Sequence, residues 1–176
     1  GTAKTVFASI ISRYQDPDGD LGISDEGWEI AAKFLGNAHN IADGEDAVGS
    51  VIDGTYPMDE HWASGVLTEQ KDRDYKFQIM TPDIGEPYVV ESLAISAGTK
   101  KYDTCVAFLN WLGSSDVQLD WSNNYGTIPC QKEALDQVSD DIKELMETLK
   151  PQDLDWSFIA ENVDAWVEKA ELEYVQ

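Results

Sequence analysis

Apolar residues recur at helical spacing along most of the chain. From Ala3 to about Tyr14 they fall at Ala3, Val6, Phe7, Ile10 and Tyr14, one side of a helix that Asp16-Pro17-Asp18-Gly19 then breaks. A second helix is predicted from about Asp25 to Asn37, with Trp28, Ala31, Ala32 and Leu35 inward and Ser24 or Asp25 capping its first turn. A short third helix, about Glu45 to Asp53, is closed by Gly54. The period then changes. Tyr56 to Trp62 and Tyr75 to Met80 read as strands, the latter alternating Tyr75, Phe77 and Ile79 against polar neighbours, with a helical turn around Ala63 to Lys71 between them. Val89 to Ala97 reads as a third strand, and its run Leu93-Ala94-Ile95 suits one covered on both faces. Helices follow at about Asp103 to Leu112, Asp116 to Asn123, Lys132 to Leu149 and Asp155 to Tyr174. The third of these carries Leu135, Val138, Ile142, Leu145 and Leu149 on one stripe; the last carries Trp156, Ala160, Val163, Val167, Ala170 and Tyr174. Helices interleaved with strands predict an α/β layer architecture.

Charge narrows the partners. With 34 acids against 12 bases the formal charge is -22, which repels nucleic acid phosphates and anionic membranes alike. The acids are scattered over helices that also carry apolar stripes, so they read as a solvated surface. No apolar run is long enough to span a bilayer. Cys105 and Cys130 are too far apart for a C-x-x-C site, and either a structural disulfide or two free thiols fits them.

Catalytic signatures are missing: there is no P-loop, G-x-G-x-x-G, H-E-x-x-H or G-x-S-x-G. The expectation is a binding protein, not an enzyme. Of the two histidines, His39 sits where it would favour a helix C-terminus. His61 falls in Asp59-Glu60-His61-Trp62 at the end of a predicted strand, where open α/β sheets place ligand crevices, and alternation would send His61 to one face and Glu60 with Trp62 to the other. Glu91 interrupts an apolar run and requires either a ligand or a backbone partner if buried. Tyr56, Tyr88 and Tyr125 could stack on a solute or simply pack. Asp16, Asp18 and Asp20 match positions one, three and five of a calcium loop, but position six is Leu21 and position twelve is Gly27, with Glu26 one place early. No other cofactor is indicated, and a calcium-dependent or acidic extracellular interaction module is the alternative reading.

Three stretches point to a family. Asp155-Trp156 through Ala160-Glu161-Asn162, Asp164 and Trp166 resembles the final helix of bacterial extracellular solute-binding proteins of ABC importers, in the iron, phosphonate and sugar-phosphate branch. Asp103 to Gln118, followed by Asn124-Tyr125-Gly126-Thr127-Ile128-Pro129, is similar to that family's short helix and the segment after it; Gly44 to Val48 with Asp53-Gly54-Thr55-Tyr56-Pro57 is similar to its second-lobe unit. Gly1-Thr2-Ala3 resembles the turn that opens a helix at the ligand cleft. The resemblance implies the second lobe of a type II periplasmic-binding-protein-like fold, helices on a small mixed sheet. It implies that residues 1–92 and 128–176 form the second (C-terminal) lobe, and that 93–127 are a hinge crossing and a fragment of the first lobe whose packing partner lies elsewhere. It further implies a precursor with a signal peptide, an extracytoplasmic location in the periplasm or as a surface lipoprotein, and a full-length protein that is monomeric. The partners would be a small, polar, anionic solute such as a phosphorylated sugar or phosphonate, held in part by Gly1, Thr2, Glu60, His61, Trp62 and Glu91, and a membrane permease. The absence of adjacent tyrosines lowers the case for iron.

Overall fold

A computed structural model describes residues 1–175 and resolves two compact units. The first comprises Gly1–Glu60, Gly85–Pro87 and the chain from Pro151 onward. It holds α1 (Thr2–Ile11), β1 (Gln15–Asp20), α2 (Asp25–Gly36), α3 (Ala47–Ile52) and, much later in sequence, α9 (Trp156–Glu173). Phe7, Ala8 and Ile11 of α1, Ile23, Trp28 and Ala31 around α2, and Ile159, Trp166 and Ala170 of α9 form one buried cluster. Full burial of each large aliphatic or aromatic side chain contributes about 1.5–3 kcal/mol.

The hinge between α1 and α2 is tighter than a plain acidic turn. Tyr14 C=O accepts from Ser24 N–H and Gly22 C=O from Asp16 N–H, each at 2.9 Å, so Gln15 pairs antiparallel with Ile23. Leu21 (φ 50) and Gly22 (φ 76) both adopt left-handed backbone, which a tight hairpin reversal requires. Ser24 then caps α2, its hydroxyl accepting from Gly27 N–H at 3.3 Å. Gly27 is needed for close approach: a Cβ there would lie 2.5 Å from Ile23 Cγ2 and 2.6 Å from Tyr14 Cβ.

In α9 the apolar stripe is rotated from the expected one. Val163, Val167, Ala170 and Tyr174 lie in or against the core as read, but Trp156 is 44% exposed and Ala160 also faces solvent, while Ile159 and Trp166 are buried. The rotation follows from two anchors. Asp155 caps the helix by accepting from Ser157 and Phe158 N–H at 3.1 and 3.0 Å, and the Trp166 indole N–H donates to Leu21 C=O at 2.9 Å.

The second unit comprises His61–Ile84 and Tyr88–Lys150. It holds α4 (Ala63–Arg73), α5 (Tyr102–Leu112), α6 (Ser115–Tyr125), α7 (Lys132–Leu135) and α8 (Asp140–Thr148). The single helix expected over 132–149 is broken at Asp136 to Ser139, and Ser139 begins a new helix with Asp140 and Asp141 in its first turn, a start signal the stripe alone conceals. The stripe's burial survives the break: Val138, Ile142 and Leu145 are each 2% exposed.

The expected strands Tyr56–Trp62, Tyr75–Met80 and Val89–Ala97 form no ladder among the described residues. Local bonds take their place. Tyr56 N–H donates to Ser50 C=O behind α3, Trp62 is the N-cap of α4, Tyr75 N–H donates to Gln70 C=O, and Phe77 N–H is taken by the Gln70 amide oxygen at 3.0 Å. Helices therefore dominate an architecture read as α/β. Residues 93–127 lie wholly in the second unit. Among the described residues no helix is long and apolar enough to cross a membrane.

Candidate functional site

The first turn of α4 brings together two of the predicted binding residues. His61 and Trp62 stack on each other, ring centroids 4.5 Å apart at 22°, although alternation placed them on opposite faces. They can do so because they precede a helix instead of ending a strand. Trp62, in extended backbone (φ -74, ψ 142), is the N-cap, with no side chain capping the helix. The first-turn amides are thus left for solvent or solute, at the positive end of the helix dipole. Beneath the rings lies Gly65, where a Cβ would fall 2.5 Å from His61 Nε2 and 2.6 Å from Trp62 Nε1. The sequence reading missed Gly65. A glycine in a helix's first turn is a conformational cost with no local return, and that was its signal; the structure buries it.

Of the other predicted residues, Gly1, Thr2 and Glu60 belong to the first unit and Glu91 to the second. Gly1 is the exposed N-cap of α1 with no side-chain cap, and Thr2 begins that helix. Glu60 closes a segment of the first unit. Desolvation first, and the neighbouring Asp59 charge second, hold its carboxyl above the usual value even though much of the residue faces solvent. Glu91, expected inside a covered strand, is exposed and makes no hydrogen bond or ion pair among the described residues, because the flanking Val89 and Val90 are themselves uncovered.

The calcium reading is corrected. Among the described residues no group of three His, Cys, Asp or Glu could hold a metal ion. Asp16 Oδ1 accepts from Asp18 N–H at 3.0 Å, and Asp20 turns away to pair with Lys169 at 3.1 Å. Cys105 and Cys130 are free thiols. His39, read as a cap or surface residue, closes the loop after α2: its Nε2 lies 2.9 Å from Glu45 Oε1 and its ring stacks on Tyr56.

A wider cleft of about 970 Å³ opens in the second unit between the end of α4, Tyr75–Ile79, the end of α6 and α8. None of the predicted binding residues lines it. Asp72, Asp74, Asp141 and Glu144 stand there against Lys71 and Lys76, a balance that disfavours an anion, whereas the start of α4 favours one.

Residues 4–150 match the family described as bacterial extracellular solute-binding protein. The chain belongs to that family. It is also 33% identical over 175 residues to the "Probable ABC transporter periplasmic-binding protein y4fP" of Sinorhizobium fredii (strain NBRC 101917 / NGR234), covering 99% of this chain and 48% of that protein. The chain therefore spans about half the length of this curated relative. No solved structure matches it.

Proposed function

We propose that this chain is part of the substrate-binding component of an ABC importer, capturing a small polar anion, such as a phosphorylated sugar or a phosphonate, and presenting it to a membrane permease. The protein would act outside the cytoplasm, as a monomer, by binding and not by turnover. Membership of the solute-binding family and the name of the y4fP relative support the class. The observation that carries the solute chemistry is the start of α4, where uncapped helix amides, a stacked His61–Trp62 pair and the space left by Gly65 coincide. Helix N-terminal amides donate to phosphate or carboxylate oxygens, the indole offers a flat face to a sugar ring, and the imidazole adds a ring N–H donor. Glu91, in the same unit, is a further contact in this reading, its carboxylate accepting from solute hydroxyls. Local amides must outweigh a strongly negative protein, so binding should strengthen with added salt as long-range repulsion is screened.

Isothermal titration of the full-length receptor with glucose 6-phosphate, glycerol 3-phosphate and methylphosphonate tests this. At least one is expected to bind saturably, and Trp62→Ala to weaken it tenfold or more. Binding of neutral sugars or amines with all three anions silent would refute the anionic class. Unchanged affinity in Trp62→Ala would remove the start of α4 from the site.

A further inference from the structure

A pocket of about 330 Å³ in the first unit shares no residue with the start of α4 or with the wider cleft of the second. It is lined by Ser12, Arg13 and Gln15, from the turn that follows α1, and by Asp153, Leu154 and Asp155, from the approach to α9. Its polar groups are uncommitted among the described residues. Ser12 is 6% exposed and its buried hydroxyl has no hydrogen-bond partner. Arg13 forms no ion pair, its guanidinium lying instead 5.9 Å from the Tyr14 ring centroid. The Gln15 amide and the Asp153 carboxylate make no hydrogen bond, and Asp155 uses Oδ1 alone to cap α9. Solvent serves the exposed groups. A buried hydroxyl left unpaired is destabilising, so Ser12 favours a partner arriving through the pocket that it lines.

We infer that this pocket binds a small zwitterion, a free α-amino acid, whose carboxylate takes the Arg13 guanidinium and the Ser12 hydroxyl while its ammonium group donates to Asp153 and Asp155. The charges choose that class. A guanidinium fork matches a carboxylate with two parallel hydrogen bonds, and an ammonium group supplies three donors to acceptor-only carboxylates. A plain anion would meet two carboxylates against one guanidinium, in a chain whose formal charge is -22. A plain cation would meet Arg13. Only a ligand carrying both signs satisfies both sets of groups. Leu154, half-buried against the core, is the one apolar residue of the lining, which suits a short side chain. Bound there, the amino acid bridges the turn after α1 to the start of α9, so occupancy stabilises the first unit by mass action. The inference uses none of the residues on which the anionic-solute reading rests.

Calorimetric titration and thermal melting of the protein with L-alanine test this. Saturable binding is expected, with a rise in the melting temperature of the first unit, and propionate and ethylamine, each carrying one charge alone, should bind at least tenfold more weakly. Arg13→Gln should weaken alanine at least tenfold. Ser12→Ala should weaken it too, yet leave the ligand-free protein no less stable, because it deletes an unpaired hydroxyl. A loss of stability in that variant would show the hydroxyl already bonded within the protein and would overturn the inference. Asp153→Asn should weaken alanine but strengthen propionate, a reversal that a merely structural role does not produce. Absence of saturable binding, with water alone filling the pocket, overturns the inference, as does propionate or ethylamine binding as tightly as alanine. Trp62→Ala should leave alanine binding untouched; its loss there would move the amino acid to the start of α4 and overturn the assignment to this pocket. Alanine bound as described, with all three anions silent, would count against the solute reading alone.

Discussion

Trp166→Ala is the sharpest test of how the first unit is held together. The indole is fully buried, its ring lies 5.2 Å from that of Phe158, and its N–H donates to Leu21 C=O at 2.9 Å. Truncating a buried aromatic residue to alanine costs about 3–5 kcal/mol through lost transfer energy and the cavity left behind. The hydrogen bond adds little to that figure, because Leu21 is 37% exposed and water can reach its carbonyl once the indole is gone. Trp166→Phe keeps most of the apolar volume and should cost about 1–2 kcal/mol, chiefly from the space left where the indole's second ring packed. Trp156→Ala, ten residues earlier on the exposed side of α9, should cost under about 1 kcal/mol. Urea unfolding followed through amide signals of α1, α2 and α9 reads the first unit separately from the second. A Trp166→Ala loss below about 1 kcal/mol, or a Trp156→Ala loss as large, would mean the stripe is phased as the periodicity suggested and not as the structure places it.

Further outcomes follow from single positions. Gly65→Ala should turn the His61 and Trp62 rings off the helix, seen as a change in Trp62 indole shifts and weaker solute binding; unchanged rings and affinity would contradict the packing at the start of α4. Glu60 has its carboxyl pKa raised on folding, so its ionisation opposes folding: its contribution is most favourable below the ordinary carboxylate range and falls as pH rises through the folded value. Glu60→Gln should therefore stabilise at neutral pH and be neutral near pH 3, roughly a pH unit below the ordinary glutamate value, as melting curves at the two pH values will show; the reverse order would refute the assignment. Calcium added to millimolar levels should leave the melting temperature of the first unit unchanged, since Asp20 pairs with Lys169, and a saturable rise would restore the calcium loop.

Much of the helical framework was legible because amphipathic spacing and caps are local signals. The helices from Asp25, Tyr102 and Trp156 begin within a residue or so of the positions read from Ser24, Asp103 and Asp155. Where the reading failed, the deciding contact lay far away or was mistaken for another local pattern. The phase of α9 depends on Leu21, 145 residues earlier, which no window on the helix contains. The tight reversal at Leu21-Gly22 turned a suspected metal loop into a hairpin. Strand-like alternation at Tyr75–Met80 was real, but Gln70 claims the backbone that a ladder would need. At the candidate site, the residue types around His61 and Trp62 were readable, whereas their stacking was not, because it requires a helix to start at Ala63 and a glycine beneath it.

The union of α1 and α2 with α9 also sets a timetable for the chain during synthesis. Phe7, Ile11 and Trp28 are made well over a hundred residues before the residues that seal them, Ile159, Trp166 and Ala170, so the first unit cannot complete its interior until α9 has emerged. The second unit, contained within residues 61–150, has its partners in hand earlier and is free to organise while the first waits. Bringing such distant segments together slows folding and leaves apolar surface open meanwhile. A stalled or C-terminally clipped chain would thus leave Phe7, Ile11 and Trp28 without cover, and quality control by proteases would find its targets around those residues, far from the cut.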